Sequence, residues 1–288
     1  MIKPRILSIG EVLWDLLPDG ARFGGAAANF SCHAAILGGD VSIVSAVGDD
    51  DSGNDALKIL QSFGIEISLM QRIKDAPTGS VDVLLDSAGK PTFEIHAGSA
   101  WDYISWTNEL EARIANVDAI HFGTLGQRSE ISRTTIRKLL SVAKAHGILR
   151  VLDVNLRKPF YDAELIRESI AWANVLKLSD DELIEVAEAF DIPSCLTTTE
   201  TLRAIREKYR LDLVVLTRGA EGALVVSHQG TIDQSGIPTK VVDTVGAGDC
   251  FIAAFLLGLL RGEPHQDILR IACDKASAVC AHSGAVPG

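Results

Sequence analysis

Cysteine is sparse in this 288-residue chain. It has five, Cys32, Cys195, Cys250, Cys273 and Cys280, and no C-x-x-C spacing. A scattered, odd-numbered set builds neither a disulfide framework nor a zinc site, so the thiols read as small buried hydrophobes in a reducing compartment. Basic residues are also short, 27 against 38 acidic ones, for a net charge of −11. That surface repels phosphate backbones and anionic lipid, which excludes nucleic acid and membrane as partners but leaves room for a nucleotide held locally by backbone N–H groups. No stretch approaches the roughly 18 consecutive apolar residues of a membrane span. Met1 to Arg5 opens without the apolar run of a signal peptide, so the expectation is a soluble, cytoplasmic protein. No G-x-x-x-x-G-K-[ST] loop is present, which argues against a P-loop enzyme. Repeats, low-complexity tracts and linkers are missing too, and residues 1–288 read as a single domain.

What is present is an alternation of short apolar runs with longer helix-patterned segments. Ile6–Ile9, Val41–Val44, Ala119–Phe122, Arg150–Asp153, Val175–Leu178 and Val214–Thr217 read as buried strands, and 129–146 and 199–209 as helices between them. Such an order predicts a mostly parallel sheet covered by helices on both faces, with ligands gathering beyond the carboxyl ends of the strands. Asp153, Ser179 and Thr217 stand at such ends. Residues 78–97 break the pattern. Two alternating runs, 80–85 and 92–96, flank Ser87-Ala88-Gly89-Lys90-Pro91 and predict a β-hairpin, with 12–23 supplying further strands beside it. A small sheet projecting from a large one would act as a lid.

The stretch most suited to chemistry is Asp243-Thr244-Val245-Gly246-Ala247-Gly248-Asp249, directly before a long apolar helix. Free N–H groups at such a helix start face outward toward an anion, and glycines let it approach the backbone. A carboxylate there can take a proton from an attacking hydroxyl, although an Asp at this place is equally at home as a plain cap. Phe23-Gly24-Gly25-Ala26-Ala27-Ala28-Asn29 pairs close backbone approach with an amide that both donates to and accepts from a hydroxyl.

The Asp243–Asp249 stretch resembles the D-T-x-G-A-G-D signature of the ribokinase (PfkB) sugar kinases at every fixed position, and the double-glycine element resembles their G-G-x-x-x-N motif. The resemblance runs from residue 6 to residue 286. It implies a ribokinase-like three-layer α/β sandwich with a mostly parallel central sheet and a small β-sheet lid drawn from about 11–24 and 78–104. It implies Asp249 as general base, and the turn Gly246, Ala247, Gly248 and Asp249 as an anion hole for the phosphoryl group. Gly24, Gly25, Asn29 and Asp15 map onto acceptor-sugar contacts, with Trp101 as a further platform. Trp14 and Phe23 are either sugar faces or core.

Asp153-Val154-Asn155-Leu156-Arg157 resembles the D-x-N-x-R element of fructokinases and 2-keto-3-deoxygluconate kinases, which turns Arg157 into the site. Lys177-Leu178-Ser179-Asp180-Asp181-Glu182 is similar to the N-x-x-E element with Ser179 in place of Asn, implying Lys177 and Ser179 at the nucleotide and Glu182 on Mg2+ through water; a capping box explains the same spacing. Thr217, Gly219 and Gly222 match the turn that meets the nucleotide. Asp243, Val245 and Gly284 match backbone positions that hold a monovalent cation such as K+. The resemblance thus implies ATP as co-substrate, Mg2+, and a homodimer paired through the lids. His96 stands before Gly98-Ser99-Ala100 where ketodeoxygluconate kinases carry an Arg, so a neutral ketose is favoured over a sugar acid. His121 fits a core residue or a site residue equally. Other acceptors of the family, ribose, 2-keto-3-deoxygluconate or an aminoimidazole riboside, remain alternatives, as does a sugar-binding regulator without catalysis.

Overall fold

In a computed structural model, which describes residues 3–85 and 91–286, nine strands form one large sheet in the order β13-β12-β11-β10-β9-β8-β1-β4-β5. β1 (Arg5–Ile9) lies inside the sheet, paired in parallel with β4 (Asp40–Gly48) and β8 (Ala119–Gly123). β9 (Leu149–Asp153), β10 (Val175–Ser179) and β11 (Leu213–Thr217) continue the parallel array on one side, and β5 (Met70–Ile73) ends it on the other. An antiparallel hairpin, β12 (Ala223–Ser227) and β13 (Gly230–Gln234), closes the β11 side.

Because strand side chains alternate in direction, the sheet feeds two cores. Leu7, Ile9, Ile120, Leu152 and Leu176 point into one, with α3 (Asn108–Ile114), α4 (Glu130–Ala145), α5 (Ala163–Trp172), α6 (Asp180–Ala189) and α7 (Thr198–Tyr209). Ile6, Ile43, Val151 and Val175 point into the other, beside α1 (Ala26–Ile36), α2 (Asp51–Ser62), α8 (Ala247–Leu260) and α9 (His265–Cys280). This is the three-layer sandwich expected, and its strands are nearly continuous apolar runs because both faces are covered.

The second sheet has four strands in the order β3-β2-β6-β7: β2 (Leu13–Leu17), β3 (Gly20–Gly24), β6 (Gly79–Leu85) and β7 (Pro91–Ile95). The hairpin turn expected over 87–91 lies mostly outside the described residues. Within the 78–104 span expected for the lid, residues Ala100–Tyr103 form a short helical turn, with Ala100 and Trp101 in the main core and Asp102 buried beside them.

Candidate active site

α8 begins at a backbone position that demands glycine. Gly246 takes φ 80°, and a side chain there would overlap the carbonyl oxygen of Ala285. From Cys250 onward the helix N–H groups are engaged, Cys250 N donating to Gly246 O at 2.9 Å. Among the described residues the N–H groups of Gly246, Gly248 and Asp249 have no protein acceptor, whereas that of Ala247 turns back to Thr244 O at 3.3 Å. Of the four positions expected to form an anion hole, Gly246, Gly248 and Asp249 thus keep open N–H groups and Ala247 does not. Asp243 shapes the approach. Its Oδ1 accepts from Val245 N and its Oδ2 from Gly284 N, both at 3.0 Å, which gathers the three positions expected to hold a monovalent cation.

Asp249 Oδ2 accepts from Asn29 Nδ2 at 3.0 Å, joining residues 220 positions apart. Burial, and then the neighbouring Asp153, push the Asp249 carboxyl up to about 7, against the opposing pull of Asn29 and Lys177. A carboxyl titrating near neutrality beside unpaired N–H groups is suited to accepting a proton from a hydroxyl and presenting the resulting nucleophile to an anion.

The acceptor side is built where β1 ends. Gly25, at φ 101°, brings its Cα so near Glu11 that a methyl there would sit 2.6 Å from Glu11 O; at Gly24 it would sit 2.7 Å from Asp15 Oδ2. Glu11 was not expected in the site. It is 4% exposed, and its Oε1 accepts from Ala26 N at 3.1 Å, capping α1. Burial raises the Glu11 and Asp15 carboxyls; backbone hydrogen bonds and then the charge of Arg157 oppose the rise at Glu11, and Arg157 and Arg22 oppose it at Asp15. Asn29 Oδ1 is buried without a partner, so its acceptor capacity is still open.

Lys177 and Asp153 form a buried ion pair on adjacent strands, Nζ lying 2.9 and 3.1 Å from the two carboxylate oxygens. Burial works against the ammonium, but Asp153, Glu182 and Asp249 hold Lys177 above the ordinary lysine range. Nζ is 3.3 Å from where a Gly248 side chain would begin, so the charge lies directly beside the Gly246–Asp249 turn. Ser179 and Glu182 form the capping box, Ser179 N donating to Glu182 Oε2 at 2.8 Å; Glu182 Oε1 also accepts from Leu156 N at 2.8 Å, pinning the loop that carries Arg157. Thr217 ends β11, and the Gly219 to Gly222 turn is braced by Arg218, whose Nη2 lies 2.5 Å from Asp233 Oδ1.

Trp101 is a correction. It is fully buried, and the Arg128 guanidinium stacks 3.7 Å from its ring, so it offers no face to a sugar. Arg128 itself escaped the sequence reading. It clamps Asp102 through Nε and Nη2 at 2.7 and 2.8 Å and donates to His96 O, closing the base of the lid. Its charge is matched by Asp102, so it does not replace the Arg absent at His96. His96 instead bridges Ser80 and Asp82 within the lid. His121 is a core residue, stacked on Phe30 and pushed down to about 3 by burial. Trp14 and Phe23 pack edge to face on each other, Trp14 Nε1 donating to Ser52 O at 3.1 Å.

A carboxyl held near neutral pH, a helix start with open N–H groups and a polar floor under a projecting sheet define a phosphotransferase-type site acting on a small hydroxylated molecule. Residues 20–288 match the family described as pfkB family carbohydrate kinase, and the chain belongs to it. It is 30% identical to the ATP-dependent 6-phosphofructokinase of Thermoanaerobacterium thermosaccharolyticum over 276 residues, 90% of this chain and 83% of the relative. It is 28% identical to the fructokinase of Salmonella typhimurium over 268 residues, 90% and 85% of the two chains. A putative ribokinase II from E. coli, solved in complex with ATP and Mg+2, superposes with a TM-score of 0.83 at 21% identity, covering 98% of this chain and 94% of that one. The protein is a sugar kinase with a ribokinase-like fold.

Proposed function

We propose that the chain transfers the γ-phosphoryl group of ATP to a hydroxyl of a neutral ketohexose, fructose in the first instance. The observation that carries this is the Asn29–Asp249 hydrogen bond, which sets the base of α8 against the acceptor-side helix. Asp15, Asn29 and Arg157, with the backbone at Gly24 and Gly25, hold the sugar. Asp249 takes the proton of the attacking hydroxyl, and the N–H groups of Gly246, Gly248 and Asp249 stabilise the charge of the phosphoryl group in transit. Lys177 adds a fixed positive charge at that turn, and Ser179, Thr217, Gly219 and Gly222 lie along the nucleotide's side. The lid strands shut out water, the competing acceptor.

Glu182 has both carboxylate oxygens engaged by backbone N–H groups yet keeps a lone pair on each, which fits Mg2+ held through water and not directly. Bound there with ATP, Mg2+ would neutralise phosphate charge. The Asp243 link between Val245 and Gly284 supports a monovalent cation at that loop. A neutral acceptor is favoured because the buried guanidinium nearest the lid, Arg128, is already matched by Asp102. The test is ADP release with magnesium-ATP across a panel of fructose, ribose, fructose 6-phosphate, 2-keto-3-deoxygluconate and aminoimidazole riboside. Fructose should give the highest kcat/KM. An anionic acceptor preferred by tenfold or more overturns the neutral-ketose reading, and no turnover on any member overturns catalysis.

A further inference from the structure

His33 lies on α1 one turn beyond Asn29, on the same face of the helix. It is 2% exposed, and its Nε2 is 2.9 Å from the carbonyl oxygen of Ala285, 252 residues away in the chain. An acceptor at that distance places the proton on Nε2. The carbonyl it grips is the one against which Gly246 is packed, the contact that forbids any side chain at that position. Residues 283–285 are held from two other sides: Arg22 of the lid donates to Ser283 Oγ at 3.3 Å, and Gly284 N donates to Asp243. The acceptor-side helix thus touches the anion-binding turn at both ends, directly through Asn29 to Asp249 and indirectly through His33 and Ala285 to Gly246.

We infer that His33 is a positioning residue for phosphoryl transfer, holding Ala285 so that the backbone at Gly246 keeps its anion-binding conformation. The inference rests on the proposed role of that turn. Neither sugar nor phosphate touches His33. Its loss leaves a buried carbonyl without its donor and frees the wall behind Gly246, which lowers the stabilisation of charge in transit while the sugar contacts stay in place. The signature in kinetics is a fall in kcat with little change in acceptor KM.

The test compares His33→Phe, His33→Gln and His33→Asn, using magnesium-ATP and the acceptor of the panel above that wild type turns over fastest. Phe keeps the ring without a donor and should lower kcat by about tenfold or more, with acceptor KM within about twofold. Gln places an amide N–H near the position of Nε2 and should recover kcat to within about threefold of wild type; Asn is too short to reach and should not. A His33→Phe enzyme as fast as wild type overturns the inference. So does a parallel decline in kcat and acceptor affinity that Gln fails to relieve, since that marks general loss of structure. Should His33→Phe not fold, the Asn and Gln pair decides: Gln faster by about fivefold or more supports the role, and equal rates overturn it. Failure of the kinase reading shows differently, as a wild type inactive on the whole panel.

Discussion

Replacing Asp249 by Asn should stabilise the protein at the pH where it removes activity. The Asp249 carboxyl titrates near 7 in the folded chain because burial and Asp153 oppose its charge. In an unfolded chain it titrates near the ordinary value of about 3.9. The folded pKa is raised, so the group favours folding only while protonated, and that contribution is lost as pH climbs through the folded pKa. Relative to a side chain that never ionises, the penalty works out at about 1.5 kcal/mol at pH 5 and about 4 kcal/mol at pH 8, using 1.36 kcal/mol per pKa unit.

The change of roughly 2.5 kcal/mol between the two pH values is an upper bound, because the cleft admits solvent and screens the charge. Half of it, about 1.2 kcal/mol, still moves a urea midpoint measurably. The assay is urea unfolding of wild type and Asp249→Asn, without ligands, from pH 5 to 8.5. The groups common to both proteins cancel in the difference. The variant should gain on wild type as pH rises, while kcat falls by about two orders of magnitude or more. A stability gap that stays flat with pH, or that favours wild type at pH 8, would refute the reasoning.

The same carboxyl predicts that wild-type kcat/KM rises with pH along an acid limb centred near 7, readable from a pH–rate profile between 5 and 9. Lys177→Met leaves Asp153 buried and unpaired, so urea unfolding should show a loss of about 3–5 kcal/mol, and Asp153→Asn in the same chain should recover part of it. The acid limb of that variant should also move to higher pH, because Lys177 pulls Asp249 down. Gly25→Ala forces a methyl against Glu11 O at φ 101°, and acceptor KM should rise about tenfold or more with a lower melting temperature. Trp101→Ala should cost about 3–5 kcal/mol of stability by leaving a cavity, whereas Trp101→Phe should leave acceptor KM within about twofold, as expected of a core residue.

The parallel strands were legible because most are nearly continuous apolar runs, as a sheet covered on both faces requires. The turn at Gly246 to Asp249 was legible because glycine, small residue and carboxylate come together within one short stretch. What escaped depends on partners far away in sequence. Glu11 follows β1, and only the packing of Gly25 against its carbonyl oxygen and the Ala26 N–H on its carboxylate bring it to the double-glycine turn. Lys177 reads as a strand lysine until its pairing with Asp153 across β9 and β10 is seen. Trp101 sits between a lid-patterned hairpin and helical residues, and its burial depends on Arg128, 27 positions on, being neutralised by Asp102. Ser179 and Glu182 show the limit of spacing arguments: the same four residues make a cap, and the cap in turn fixes the loop bearing Arg157.

The placement of β1 bears on how the chain is made. This strand is made before every other strand of the large sheet, yet it lies inside it between β4 and β8, and α1, which follows it closely, packs on α8, made long afterwards. A nascent chain ending before residue 247 therefore leaves α1 without the helix that packs against it. Such long-range pairing slows folding and leaves an apolar groove open throughout synthesis. Truncated products should consequently depend on chaperones far more than their length suggests, and should show no partial activity.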